Sequence, residues 1–542
     1  METLLEYWEW FFDDHLYEYI GAYMFVALAL ALFTGLPVAY ALGGISLIFG
    51  LIAVMIDAVD FQVFFAVINR IWGGDGQSGA VQNPILVAIP CFVFMGTMLE
   101  KSRVAADLLH ILQIMLRKVP GGLALSVTVM GTIMAATTGI IGASVVMMTL
   151  LALPTMLKRG YDPSLATGTI AASATLGILI PPSIMLVLMA NLLVVSVGNL
   201  FLGAILPGLI LSGLYFIYIL TRASLNPACA PPMSDDEINL EPSNKRTIWI
   251  YLGVSVFAIF LAYEGDVLGL NDDINWPLLG FLMLFAISMY FGRREENTLF
   301  GGILKGFVPP VFLIVLVLGS IFAGWATPTE AAGVGAFGSL ILAWVNGTLT
   351  YPVVREVCHR TGLTTAMIFF IFVGATAFST IFRNVYGEDL IIEFIEWLEL
   401  SPWFLLFFLM FAVFMLGFFF DFLEITLIIL PVFAPVIRAM APAFADHIGL
   451  DVGTNLAAQQ YLQDQVIYWF AILVAVNLQT SFLTPPFGFA LFYMKGVAPS
   501  AVKMQEIYRG IIPFVSLQVI GILIVLYFPQ LALWLPDLVF GK

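Results

Sequence analysis

Charge is what this 542-residue chain has least of: charged residues make up 11% of it and hydrophobic ones 61%. A soluble globular chain carries roughly 25% charged residues, so these residues do not suit a water-facing surface. Cysteine is scarce as well. The three present, Cys91, Cys229 and Cys358, lie far apart without a CxxC pair, which excludes a disulfide framework and a thiolate zinc site. Four scattered histidines form no metal cluster. No basic arm or patch points to nucleic acid. No Walker A sequence is present, which excludes ATP hydrolysis by that route, and the absence of HExxH and GxSxG argues against an intramembrane protease or lipid transferase.

What the chain does have is apolar runs, at 22–57, 85–99, 201–220, 247–262, 277–291, 308–325, 364–381 and 511–535, with a mean hydropathy of +1.01. Each is near or above the ~20 residues that cross a hydrocarbon core. A polytopic, all-α protein in a lipid bilayer is the expectation. The opening METLLEYWEWFFDDHLYEY has neither a basic n-region nor a small-residue cleavage site, so no removable signal peptide is expected there. The net charge of −15 is unevenly spread. Acidic residues gather in 1–18, 264–273, 386–399 and 446–464, and basic ones in 101–118, 158–159, 222–246, 293–305, 355–360 and 495–509. The positive-inside bias makes the basic set cytoplasmic and the acidic set external.

Two apolar segments contain a proline pair: ATLGILIPPSIMLVL (174–188) and NLQTSFLTPPFGFALF (477–492). Proline lacks an N–H and clashes with the preceding turn, at about 3 kcal/mol in a helix interior. The groups that it frees cannot turn to lipid. The flanking sequence also recurs. IPCFVFMGTMLEKS (89–102) resembles FFIFVGATAFSTIF (369–382), and GASVVMMTLLALP (142–154) resembles FDFLEITLIILP (420–431), aligning Ser144 with Asp421. Two repeats are read, 21–221 and 307–536, with an external segment 1–20, an insertion 222–306 and a tail 537–542.

Segment 119–157 lies between two basic stretches, so it enters and returns from inside as a re-entrant hairpin with its tip near 137–144. Segment 402–437 lies between acidic stretches and enters from outside, with its tip near 417–424. The repeats are therefore inverted. A continuous helix over 164–193 would be about 45 Å long at 1.5 Å per residue, well beyond the ~30 Å core. A break at 177–183 leaves half-helices whose ends attract Na⁺ and anionic groups. The other reading of such a break is a packing kink. Segments 101–118 and 383–400 read as surface arms joining each hairpin to a scaffold.

GLPVAYALG (35–43), the IPCFVFMG segment, GYDPSLATGTIAASATLGILIPPS (160–183), ATPTEAAGVGA (326–336) and LTPPFG (483–488) resemble the large membrane subunit of tripartite ATP-independent periplasmic (TRAP) transporters. The resemblance implies an elevator-type fold and Na⁺-driven uptake of a small organic acid across a bacterial inner membrane. No cofactor is implied beyond Na⁺ as coupling ion. The implied partners are a small four-helix membrane subunit and an extracytoplasmic solute-binding protein. The insertion 222–306 departs from the family pattern and is expected to serve scaffold or subunit contact. A stand-alone carboxylate symporter or a cation antiporter of the same architecture is the alternative, and dependence on a binding protein separates them.

Gly142, Ala143 and Ser144 at the first tip, with Gly177, Ile180 and Pro181 at the first break, read as one Na⁺ site of backbone carbonyls plus a hydroxyl. Hard cations take oxygen ligands. Ser144 alternatively bonds back to its own helix. Asp421 and Glu424 at the second tip, with Thr480, Ser481, Thr484 and Pro485, read as the second site, because an ionisable group in an apolar hairpin defaults to function. The alternative is a tip that reaches external water. Asn191 is read as a solute contact or an interhelical bond. Thr327, Thr329 and Glu330 either line the cavity or cap the helix that starts at Pro328, and capping is the preferred reading. Gly333, Gly335 and Gly338 spell GxGxxG without the strand that a dinucleotide loop needs, so close helix packing is expected there.

Overall fold

A computed structural model describes residues 16–73, 79–138, 141–233, 244–264, 276–295, 298–397, 399, 401–452, 455–485 and 488–541. Most of the external segment 1–20, parts of the insertion 222–306 and of the first hairpin tip, and Pro486 lie outside the described residues. Within them the chain is helical, and eleven helices are long and apolar enough to cross a membrane.

The run 22–57, read as one apolar stretch, is two helices: α1 (Leu16–Phe33) and α2 (Val38–Met55). They part at Thr34–Pro37, where Gly35 takes φ +80° and Pro37 sits at the cap. Glycine carries no Cβ penalty at positive φ, and proline cannot continue the ladder. Next come α3 (Val63–Trp72), α4 (Ala88–Lys101), the arm α5 (Val104–Met115), α6 (Gly122–Thr138), α7 (Ile141–Lys158), α8 (Pro163–Thr175), α9 (Ile184–Leu193) and α10 (Val197–Leu225). The insertion contributes α11 (Lys245–Glu264) and α12 (Trp276–Arg294). The remainder is α13 (Val308–Phe322), α14 (Pro328–Val345), α15 (Tyr351–Asn384), the arm α16 (Gly387–Trp397), α17 (Pro402–Leu416), α18 (Phe422–Ala439), α19 (Leu456–Ser481), α20 (Phe489–Val497), α21 (Met504–Tyr527) and α22 (Gln530–Phe540). The run 511–535 likewise divides, at Phe528–Pro529.

The order long helix, arm, hairpin pair, interrupted helix, long helix thus occurs twice, from α4 to α10 and from α15 to α21. The two series interlock reciprocally. Helix α4 packs on α14, and α15 on α2; α8 packs on α21, and α19 on α10; α7 packs on α20, and α18 on α9. Each contact has a counterpart with the halves exchanged, as a pseudo-two-fold relation requires.

Small residues allow the closest crossing. A Cβ on Gly168 of α8 would sit 2.2 Å from the Gly510 carbonyl oxygen of α21, so only glycine fits. At one end of the bundle Asp162 caps α8 by accepting from Ser164 N at 3.0 Å, and its other oxygen accepts from Arg222 Nη2 of α10 at 2.8 Å. Every residue from Gln465 to Ser481 of α19 is buried, whereas α1 buries only Leu16, Ile20, Gly21, Met24, Leu28 and Leu32, which places the interrupted helix in the core and α1 at the periphery. The inserted α12 docks on α13, with Phe281 and Phe285 stacked on Phe312 at 4.4 and 4.1 Å. Gly335 and Gly338 press against Met95 and Leu313, so this part of the GxGxxG pattern serves helix packing.

Candidate transport site at the hairpin tips

Helix α8 ends at Thr175, a single 3-10 turn covers Leu176–Ile178, and helix resumes at Ile184. Across that break the Ser183 hydroxyl donates to the Ile178 carbonyl. Leu179 and Ile180 N–H groups both reach the Leu176 carbonyl at 3.0 Å. Gly177, Ile180 and Pro181 are buried, and Gly208 of α10 leaves the space that Ile180 fills. The second interrupted helix stops at Ser481 and resumes at Phe489. Its hydroxyls bond back along the chain: Thr480 to Asn477 O at 2.7 Å, Ser481 to Leu478 O at 2.6 Å and Thr484 to Thr480 O at 2.9 Å. Each oxygen keeps lone pairs for a cation. Pro485 is half-buried beside them.

Both hairpin tips meet the second interrupted helix. A Cβ on Gly417 would lie 2.7 Å from Ser481 Cβ, and one on Gly142 would lie 2.9 Å from the Tyr493 ring of α20. Ala143 follows Gly142 in the first turn of α7 and is half-buried, and Ser144 is 4% exposed. Asp421 caps α18, accepting from Phe422 N at 2.8 Å, while its own N–H donates to Glu424 Oε2 at 3.1 Å. The two carboxylates are therefore held by a capping box. Both also line a cavity of about 310 Å³ together with Gly142, Ile184, Phe482 and the Thr364–Ile371 stretch of α15.

Among the described residues, three buried side chains near the second break find no partner on at least one polar atom: Thr426 Oγ1, Asn477 Oδ1 and both atoms of the Gln479 amide. The sequence reading missed them. The polar run NLQTS inside an apolar span was the available signal, but it drew notice only for its hydroxyls. Oxygen atoms left without a donor in a dry site suit a hard cation.

The other sequence candidates sit elsewhere. Asn191 accepts from Asn83 Nδ2 and lines a separate cavity. Thr329 donates to Pro84 O at 2.7 Å. Thr327 and Glu330 form a capping box, with Thr327 N donating to Glu330 Oε2 at 2.8 Å and Glu330 N donating to Thr327 Oγ1 at 3.3 Å. Neither they nor Thr329 border the tip cavity.

Paired hairpins and interrupted helices around a largely apolar cavity that holds two carboxylates, inside a multi-pass bundle, define a membrane transport protein. The chain belongs to the family described as "Tripartite ATP-independent periplasmic transporter, DctM component", which its residues 25–531 match. It is a multi-pass inner-membrane permease and not an enzyme. It is 26% identical over 455 residues to the C4-dicarboxylate TRAP transporter large permease protein DctM of Pseudomonas aeruginosa, covering 83% of this chain and 86% of that one. It is 27% identical to the ectoine/5-hydroxyectoine permease UehC of Ruegeria pomeroyi, with 84% and 87% covered. With the sialic acid permease SiaM of Vibrio cholerae the identity is 25%, with 94% and 97% covered. In fold it is similar to the YdaH transporter of Alcanivorax borkumensis, at a TM-score of 0.50 and 15% identity, covering 87% and 88% of the two chains.

Proposed function

We propose that this permease takes up a small organic acid, driven by Na⁺. An extracytoplasmic binding protein delivers the solute, and a small four-helix subunit completes the membrane complex. The observation that carries this reading is the cavity that holds Asp421 and Glu424 of the second tip, which Gly142 of the first tip also borders and which touches the edges of the two helix breaks at Ile184 and Phe482. Half-helix ends beside it, and the orphaned oxygens of Thr426, Asn477 and Gln479 in the adjoining helices, suit a cation, and the bound cation offsets the charge of a carboxylate solute. The relatives named above are labelled for C4-dicarboxylates, ectoine and sialic acid, all of which carry a carboxylate.

Gly142, Ala143, Ser144, Gly177, Ile180 and Pro181 supply the first Na⁺ site. Asp421, Glu424, Thr480, Ser481, Thr484 and Pro485 supply the second, with Asn477 and Gln479 added. The hairpins and interrupted helices move as one unit against α15 and the other long helices, and the arms α5 and α16 act as links. Thr327 and Glu330 serve as a helix cap. Uptake in proteoliposomes containing all three components tests the reading. It should require a Na⁺ gradient and the binding protein, and should survive without ATP. Uptake that proceeds equally well without Na⁺ would rule out the ion sites.

A further inference from the structure

A second cavity, of about 520 Å³, lies beyond the tip cavity along the same helix α15. The tip cavity touches α15 at Thr364–Ile371, and this one touches it from Phe372 to Arg383. At 1.5 Å per residue, Arg383 is about 18 Å further along the helix than Ile371. Its walls carry three guanidinium groups from three distant parts of the chain: Arg70 of α3, Arg383 of α15 and Arg438 of α18. Arg438 and Arg383 are partly committed. Arg438 Nη2 donates to Leu193 O at 2.9 Å and Nη1 to Asp464 Oδ1 at 3.3 Å, and Arg383 Nε donates to Glu388 Oε1 at 2.8 Å. Arg70 has no ion-pair partner among the described residues. Among the described residues no carboxylate lines the cavity, whereas Ser379 and Asn191 do.

We infer that this arginine cavity is a second, external carboxylate site, where the acid waits before it reaches the hairpin tips. The inference rests on the proposed uptake function and on the inverted topology. Glu388 and Asp464, which pair with two of the arginines, belong to the acidic stretches assigned to the outside. Guanidinium forks match carboxylates in a bidentate way, and three of them around one space exceed what two partnered carboxylates neutralise. The arginines come from both bodies of the proposed elevator. Arg70 and Arg383 lie on the scaffold, while Arg438 and Asn191 lie on the moving unit. An acid held between them is positioned for transfer to the tips. The side chains of Arg383 and Arg438 are 44% and 31% exposed, so water screens the attraction and the effects are moderate.

The test uses the full chain with Cys91, Cys229 and Cys358 replaced by serine and Ser379→Cys introduced. Right-side-out vesicles are treated with membrane-impermeant thiosulfonates, one anionic (sulfonatoethyl) and one cationic (trimethylammonioethyl). The anionic reagent should react faster than the cationic one by about tenfold. Millimolar succinate should slow it, and Arg70→Gln should cut the preference by about threefold or more. Equal rates for the two reagents, no protection by succinate, or labelling from the cytoplasmic side alone would overturn the inference. In the reconstituted complex Arg70→Gln should raise the solute concentration for half-maximal uptake and leave the Na⁺ requirement alone. Unchanged solute dependence together with normal Na⁺-driven uptake would sink this site and spare the proposed function. Anion-selective labelling without any Na⁺-driven acid uptake would do the reverse.

Discussion

The two helix breaks are built alike and equipped differently. At the first, the tip is Gly142–Ala143–Ser144 and the break is LGILIPPS, with no ionisable side chain in either. At the second, the tip carries Asp421 and Glu424, and the break follows the polar run Asn477–Leu478–Gln479–Thr480–Ser481. Each stops a helix and resumes it a few residues later, so the geometry is shared. The difference lies in the side chains placed there, and in what they would offer the ion of the proposed function. Backbone carbonyls and one hydroxyl at the first tip make a weak, adaptable set. Carboxylates and orphaned amides at the second make a strong one. One fold element, used twice, thus carries two unequal sets of oxygen atoms, and under the proposed Na⁺ coupling the second set should hold the ion more tightly.

Substitutions at the tips test that difference, the largest effect first. Gly417→Ala forces a Cβ against the Ser481 backbone region, where nothing can swing aside. Overpacking of about 1–3 kcal/mol lifts the second tip off its break, so uptake should fall about tenfold or more while insertion stays normal. Gly142→Ala meets only the Tyr493 ring edge, which can move. Its uptake should fall less than about threefold on the same reasoning. Equal losses at both tips would erase the asymmetry.

Gln479→Leu replaces an unpartnered buried amide by an apolar side chain of similar volume. Relief of a desolvation penalty of about 1–3 kcal/mol should raise thermal stability in Na⁺-free buffer. The further stabilisation that Na⁺ gives should shrink in the same variant. A Na⁺-induced shift that stays at its wild-type size would remove Gln479 from the ion site.

The smallest effect is expected from Thr327→Ala, which deletes an exposed N-cap at about 1 kcal/mol. Melting temperature should drop by a few degrees, and solute and Na⁺ half-saturation should both hold. A changed solute half-saturation would return Thr327 to the transport path.

Much of this architecture was legible because membrane chemistry leaves few choices. Span-length apolar runs, the proline pairs and the alternation of basic and acidic flanks mark helices, breaks and re-entrant segments before any coordinates. Boundaries inside long apolar runs were less legible, since 22–57 and 511–535 each conceal two helices separated by a single turn. Hydropathy carries no signal for a turn made of Thr34, Gly35, Leu36 and Pro37. The candidate site was half legible. Asp421 stands out as a charge in an apolar hairpin, but its capping bond to Phe422 N is a matter of local backbone geometry. The arginine cavity was illegible, because Arg70, Arg383 and Arg438 meet only in three dimensions.

The unequal strength of the two tips is tested most directly by the Na⁺ dependence of uptake in Asp421→Asn beside Ser144→Ala. Asparagine caps a helix about as well as aspartate, so the first change removes charge and keeps the fold of the tip. A charge–cation contact in a partly dehydrated site outweighs one neutral hydroxyl contact. Asp421→Asn should raise the Na⁺ concentration for half-maximal uptake about tenfold or more, and Ser144→Ala about twofold to threefold, because carbonyls remain at the first tip. An unchanged Na⁺ dependence in Asp421→Asn would contradict the account and leave Asp421 as a helix cap alone.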